Sequence, residues 1–299
     1  MSDLDELVDS GLLRRDVPLG PMTTYKAGGP AALFAELGRV DDLKALVDSD
    51  VAAANPVLVL GRGSNLVVAD RGFDGLVVKL TGEFNSATII GDRVDAGAAM
   101  PLPRLARRAV DAGILGLEFF VGVPGSVGGA VRQNAGCFGV ETKDHLVEAR
   151  VVDLTTGAES LRRPGDLELA YRHSNLRDTE MVVAASFRGH PGDQAVGREK
   201  MREITRWRKE HQPGGTLNAG SVFKNPPGVA AGKLIDDLGL KGTRVGDVSV
   251  SEKHANFFVA GPDATADDIF ELVERVKDLV FDRSGTKLEP EIEFVGFER

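Results

Sequence analysis

Apolar residues recur along this chain at two spacings, and the spacing switches from stretch to stretch. Leu4, Leu7 and Val8 mark a short amphipathic helical start, broken at Pro18 and Gly20. The Gly28-Gly29-Pro30 turn then leads into a strand-like Ala31–Leu37. Asp41 is placed to cap a helix with Leu43, Leu46 and Val47 on one face. Val57–Leu60, Leu66–Val68 and Leu76–Leu80 are apolar runs of strand length. Ala87–Ile90 and Val94–Ala96 flank Gly91-Asp92, a hairpin signal. Leu102, Leu105, Ala106, Ala109 and Val110 form one helix face that Gly113 ends. Leu146–Leu154 and Met181–Phe187 read as strands, with a turn at Thr155-Thr156-Gly157. A charged helix covers residues 198–211, carrying Met201, Ile204 and Trp207. After it come a helix over Leu234, Ile235 and Leu238, then strands at Val248–Val250 and Asn256–Ala260. A last helix through Ile269, Leu272, Val273, Val276 and Val280 is capped by Thr265, with Asp268 three residues on. The pattern is that of an α+β protein, and 299 residues predict two or three domains.

One stretch departs from both spacings. Gly116–Gly139, GLEFFVGVPGSVGGAVRQNAGCFG, holds seven glycines and Pro124 between apolar flanks. Glycine costs backbone entropy, so this density needs a motive. Close approach of main-chain N–H groups to a large flat ligand supplies one. The competing reading is a buried loop–helix junction in which glycine only permits tight packing. A second glycine loop, Gly61-Arg62-Gly63-Ser64-Asn65, lies between two strands and can wrap a pyrophosphate with N–H groups, a hydroxyl and an amide. It lacks the third glycine of the dinucleotide fingerprint, where Leu66 stands.

Composition narrows the partners. A net charge of −9 argues against non-specific nucleic-acid binding and attraction to anionic membranes. The single cysteine, Cys137, excludes an internal disulfide framework and fits a reducing cytoplasm. The acidic MSDLDELVDS start has no apolar core and predicts no signal peptide, and no apolar run reaches membrane-spanning length. No metal site is read from the sequence.

The motifs YKAGGPA, LGRGSN, GLEFFVGVPGSVGGAVRQNAG, LAYRHSNL, AGSVFKNP, AGKLIDDLGLKG, SEKHANFF and LEPEIEFVG follow one another in order. Together, over about Thr23 to Gly296, they closely resemble the UDP-N-acetylenolpyruvoylglucosamine reductase (MurB) family, in its compact form. The resemblance implies three domains: residues 1–80 and 81–197 forming a vanillyl-alcohol-oxidase-type FAD module, and 198–299 binding substrate. The final strand has room to return to the FAD module. It implies non-covalent FAD, NADPH as hydride source, and an enolpyruvyl UDP-sugar substrate in peptidoglycan precursor synthesis, used by a cytoplasmic monomer. Gly61, Arg62, Gly63, Ser64 and Asn65 would sit on the FAD pyrophosphate. Gly122, Val123, Pro124, Gly125, Ser126, Gly128 and Gly129, with Asn134, Ala135 and Gly136, would line the flavin ring.

A flavin supplies the hydride that no side chain can. The substrate carboxylate then gathers charge, which calls for a fixed cation and an acid. The resemblance assigns Arg172 as that cation, Ser221 as proton donor and Glu291 as the catalytic glutamate. Spacing alone favours a surface arginine and a turn serine, and cannot separate Glu291 from Glu289 or Glu293, which share one face of an alternating strand. The resemblance makes Tyr171 a substrate-orienting hydroxyl and His254 a substrate contact, and Lys224 and Asn225 after Ser221 are types that suit phosphate or uracil-sugar contacts. Two positions depart from the family pattern. His211-Gln212-Pro213 stands where Lys-x-Pro is usual, and NAGCFG replaces NAGAYG, which puts Cys137 and Phe138 near the flavin. Cys137 is expected to be a small buried residue rather than a covalent flavin link. The alternatives are an oxidase of another alcohol or sugar on the same fold, which would not need the proton donor, and a UDP-sugar binder without turnover.

Overall fold

The computed structural model describes residues 3–298, which divide into two compact units. Among the described residues, unit 1 takes 3–16, Leu33–Arg62 and Gly75–Trp207, and unit 2 takes Val17–Ala32, Gly63–Asp74 and 208–298. The arrangement is α+β, as the spacings predict.

Two principal sheets lie wholly or mostly in unit 1. One is ordered Leu13–Pro18, Pro30–Leu37, Phe73–Leu80, Val57–Val59, with the last two strands parallel. Leu76, Val77 and Val78 are fully buried in it, which is why this run is apolar on both faces. The other sheet is antiparallel throughout, in the order Glu159–Arg162, Leu146–Asp153, Glu180–Arg188, Arg93–Gly97, Ala87–Ile90. The hairpin at Gly91-Asp92 forms as read, with Ile90 opposite Arg93 and Gly91 at φ +59°. The helix Leu102–Asp111 buries the five predicted apolar residues, and Gly113 follows it at φ +75°. The helix read over 198–211 begins earlier, at Gln194, and Gly197 lets it approach: a Cβ there would stand 2.6 Å from Leu115 Cδ2.

One local expectation needs correction. The helix Val40–Val47 is not capped by Asp41, because the Asp42 carboxylate already accepts from the N–H groups of Gly38 and Arg39. The glycine stretch, which shows neither spacing in the sequence, is partly helical. It folds as a 3₁₀ turn, Glu118–Gly122, then a short helix, Val127–Arg132. Phe119, Phe120, Val127, Ala130 and Val131 supply enough buried apolar surface to fix it despite its glycines.

Unit 2 packs Val248–Val250, Phe258–Ala260 and Arg244–Val245 against the helices Ala231–Asp237 and Ala266–Ser284. Thr265 and Asp268 form the reciprocal cap read from the sequence, and Gly285 closes the same helix at φ +70°. The final strand, Glu293–Val295, pairs in parallel with Leu66–Val68. The buried Tyr25 hydroxyl donates to Phe258 O at 3.2 Å, and burial raises its pKa well above the ordinary phenol value. No described helix is long and apolar enough to cross a membrane.

Candidate active site

In unit 1 the two glycine segments meet at a cleft of about 250 Å³. Gly61 and Arg62 come from one; Ser126, Gly128 and Gly129 come from the other. The second segment is pinned by Val127 N–H donating to Met100 O at 3.0 Å and Gly128 N–H to Ala98 O at 2.9 Å. A Cβ on Gly61 would stand 2.9 Å from Ser126 Oγ, so glycine here lets the two segments come close together. Leu60, Leu80, Leu176 and Val182 make apolar walls, and Arg62, Lys79 and Arg132 bring positive charge. Arg132 is engaged with Arg177 O at 3.1 Å and Asp178 at 2.6 Å. Arg62 and Lys79 have no acidic partner among the described residues. Lys79 was not singled out above, although a lone lysine in the run LVVKL was a visible signal.

Glu180 also lines the cleft and is 4 % exposed. Burial alone would raise its pKa, but bonds from the Arg162 and Arg177 side chains and the Arg177 N–H outweigh it and pull the value down to about 2. A lowered carboxylate pKa stabilises the fold above the unfolded value, 4.5, and that stability is lost as pH falls toward 2. Between those limits the melting temperature of Glu180→Gln is expected to fall less steeply with acidification than that of the parent protein. Parallel slopes in a thermal-shift series would show that this carboxylate contributes nothing.

Other predicted residues of unit 1 stand away from the cleft lining. Gly122, Val123, Pro124 and Gly125 form its support, with Gly125 O accepting from Leu102 N–H at 3.1 Å. Asn134 is fully buried at φ +41°, its amide donating to Glu141 at 3.1 Å and to Ala170 O at 3.0 Å. Ala135 O accepts from Thr142, and a Cβ on Gly136 would press on Val140 O at 2.8 Å. Cys137 is half-buried rather than buried, pairing with Val140. Its neighbour Phe138 meets Trp207 edge-on at 5.1 Å. Beyond the Asn134 bond, Ala170 and His173 close a tight turn whose tip is Tyr171 and Arg172. Arg172 holds φ +52°, a conformation that non-glycine residues adopt rarely, and its guanidinium lies 5.0 Å from the half-exposed Tyr171 ring.

Unit 2 carries the rest. Gly63 is glycine because a Cβ would lie 2.4 Å from Met22 O, at φ +61°. The Asn65 amide donates to Glu291 O at 2.9 Å, and Ser64 lies between them in the chain, half-buried. Ser221 pairs with Phe257, while on the other edge Glu291 N–H donates to Val222 O at 2.7 Å. Two residues seventy positions apart are thereby set on neighbouring backbones. The three glutamates do not form one alternating strand: only Glu293 belongs to Glu293–Val295, and Glu289 lies 3.8 Å from Lys224 Nζ. Asn225 Oδ1 accepts from Ala231 N–H at 3.0 Å. His211 ends its helix, exposed. His254 is half-buried; burial first, then the charges of Lys241 and His211, lowers its pKa, so the ring is neutral at pH 7. Its Nδ1 accepts from Asn256 N–H at 3.2 Å, leaving Nε2 to carry the proton. Among the described residues no group of three His, Cys, Asp or Glu could hold a metal ion.

Comparison with known proteins sets this geometry in a family. An FAD binding domain model matches residues 31–159, and the UDP-N-acetylenolpyruvoylglucosamine reductase C-terminal domain model matches 212–295. UDP-N-acetylenolpyruvoylglucosamine reductase 2 of Symbiobacterium thermophilum is 43% identical over 289 residues, 96% of this chain and 94% of that one. The chain belongs to the MurB family. The Caulobacter vibrioides reductase is 41% identical, covering 96% of this chain and 95% of its own. The MurB crystal structure from Thermus caldophilus matches with a TM-score of 0.83 at 38% identity, over 95% of this chain and 99% of that one. MurB proteins need a flavin site, and the cleft fits one. It offers close approach of the two segments at Gly61 and Ser126, side-chain-free surface at Gly128 and Gly129 on the short helix, apolar walls for a ring and two cations without an acidic partner among the described residues for a diphosphate.

Proposed function

We propose that this chain reduces UDP-N-acetylglucosamine enolpyruvate to UDP-N-acetylmuramate with NADPH, in peptidoglycan precursor synthesis. Family membership supports the reaction, and the residue roles rest on the chemistry of the two units. When bound, FAD supplies the hydride chemistry, taking hydride from NADPH and passing it to the enolpyruvyl double bond. Arg62 and Lys79, beside Gly61, would hold the diphosphate, and Gly128 and Gly129 would face the ring system.

Hydride addition at the terminal carbon of an enolpyruvyl ether pushes charge toward the carboxylate and leaves the inner carbon needing a proton. Arg172 takes the carboxylate with its planar fork, presented by the strained turn at Ala170–His173. Ser221 gives the proton and Glu291 assists it. The observation that carries this assignment is that the Ser221 hydroxyl makes no hydrogen bond to any described residue, while its backbone neighbour is bonded directly to Glu291. A hydroxyl not spent on the fold is available to substrate. Tyr171, Lys224, Asn225, His254 and His211 complete the substrate contacts, His211 with less charge than the lysine usual in the family.

In this reading residues 1–80 and 81–197 make the flavin module and 198–299 the substrate domain. The protein works as a cytoplasmic monomer, with FAD held non-covalently. The test is NADPH consumption by the FAD-loaded protein. Addition of the enolpyruvyl UDP-sugar should accelerate it, and an unchanged rate would remove the assigned reaction.

A further inference from the structure

We infer that Asn256 is a positioning residue for Ser221, an inference that rests on Ser221 being the proton donor. Asn256 sits in the turn between Ser251 and Phe257 rather than in the strand read from the sequence, which begins only at Phe258. It is 3 % exposed. Its side-chain amide imitates a peptide group: Nδ2 donates to Phe223 O at 2.8 Å, and Oδ1 accepts from Phe223 N–H at 2.9 Å. Its own carbonyl accepts from Val222 N–H at 2.8 Å. Three bonds from one residue therefore hold the two residues that directly follow Ser221.

The other edge of the same segment is bonded to the chain around Glu291, through Glu291 N–H to Val222 O at 2.7 Å and Lys224 N–H to Glu289 O at 2.9 Å. Residues 221–224 are thus one strip, bent at Val222 and clamped from both sides. One of the clamps is a side chain, not a ladder. Its loss leaves a buried N–H and C=O of Phe223 without partners, which is costly enough to make the strip shift or twist. On the amino-terminal side Gly220, at φ +80° with open space around it, offers little resistance to such a shift. Ser221 Oγ moves with the strip, and proton transfer is sensitive to displacements of about an ångström.

Asn256→Asp is the informative change. It keeps an acceptor for Phe223 N–H but sets an oxygen against Phe223 O. Oxidation of the reduced flavin by the enolpyruvyl sugar is expected to slow by about 10- to 100-fold. FAD affinity, reduction by NADPH and the sugar's Kd should each stay within about threefold. A merely structural role would lower the melting temperature and leave the rate per folded molecule unchanged, which would overturn the inference. Asn256→Ser, which keeps a small hydrogen-bonding group in place, should give an intermediate rate and serves if the aspartate variant does not fold.

The double variant Ser221→Ala/Asn256→Asp separates this inference from the reading beneath it. If Asn256 acts through Ser221, the second change adds almost nothing to the first. Full additivity contradicts the positioning role. A Ser221→Ala protein that reoxidises at the parent rate instead removes the proton-donor assignment itself.

Discussion

Ser221→Ala is expected to slow sugar-driven reoxidation of the bound flavin by about a thousandfold, within the range a positioned general acid supplies. Reduction by NADPH should remain within about twofold of the parent, since no proton from this hydroxyl is needed there. The structure makes the substitution unusually clean. Ser221 holds its place through the Phe257 bridge and its neighbours' backbone bonds, and its hydroxyl has no partner among the described residues to lose. The variant should therefore fold and melt like the parent, bind the UDP-sugar with similar affinity and fail only in the second half of the reaction. Equal slowing of both halves in rapid-mixing traces would point to a general disturbance instead.

Gly61→Val should give a folded protein that purifies almost colourless. Gly61 is not held at positive φ, so the backbone tolerates a side chain. The new Cβ nevertheless meets Ser126 Oγ at 2.9 Å, and both residues line the cleft. The affinity for FAD is expected to fall at least a hundredfold, about 2.7 kcal/mol, with a smaller loss for Gly61→Ala. Gly165→Ala is the control: no atom lies within 4 Å of a Cβ at that position, and it is absent from the cleft lining. Flavin titration of the three variants decides the matter. Undiminished binding by Gly61→Val would place the flavin elsewhere.

Helices and strands were legible wherever local spacing and packing agree. The helix Ala266–Ser284 carries its cap, its apolar face and its stop in sequence, and folds as read. The glycine stretch was legible as special but not in shape, because the burial of Phe120, Val127 and Val131 that winds it is a tertiary effect. Gly63 was legible as a loop glycine, but the closeness of Met22 that also demands glycine there is a contact no local pattern announces. Asn65 was legible as part of a glycine loop, but its amide bond to Glu291 O, across 226 positions, was not. Periodicity could not choose among Glu289, Glu291 and Glu293 because the segment is not one strand. Asn256 carried no local signal, since its importance lies in reaching Phe223 across the fold.

The proposed reaction carries hydride from NADPH through a bound flavin to the enolpyruvyl sugar, with Ser221 giving the proton. The direct measurement is to reduce the FAD-loaded protein anaerobically with NADPH and then mix it with the enolpyruvyl UDP-sugar. The yellow absorbance should return in proportion to the UDP-N-acetylmuramate formed, and should return far more slowly in Ser221→Ala. A flavin that stays reduced while the sugar is bound would contradict the claim.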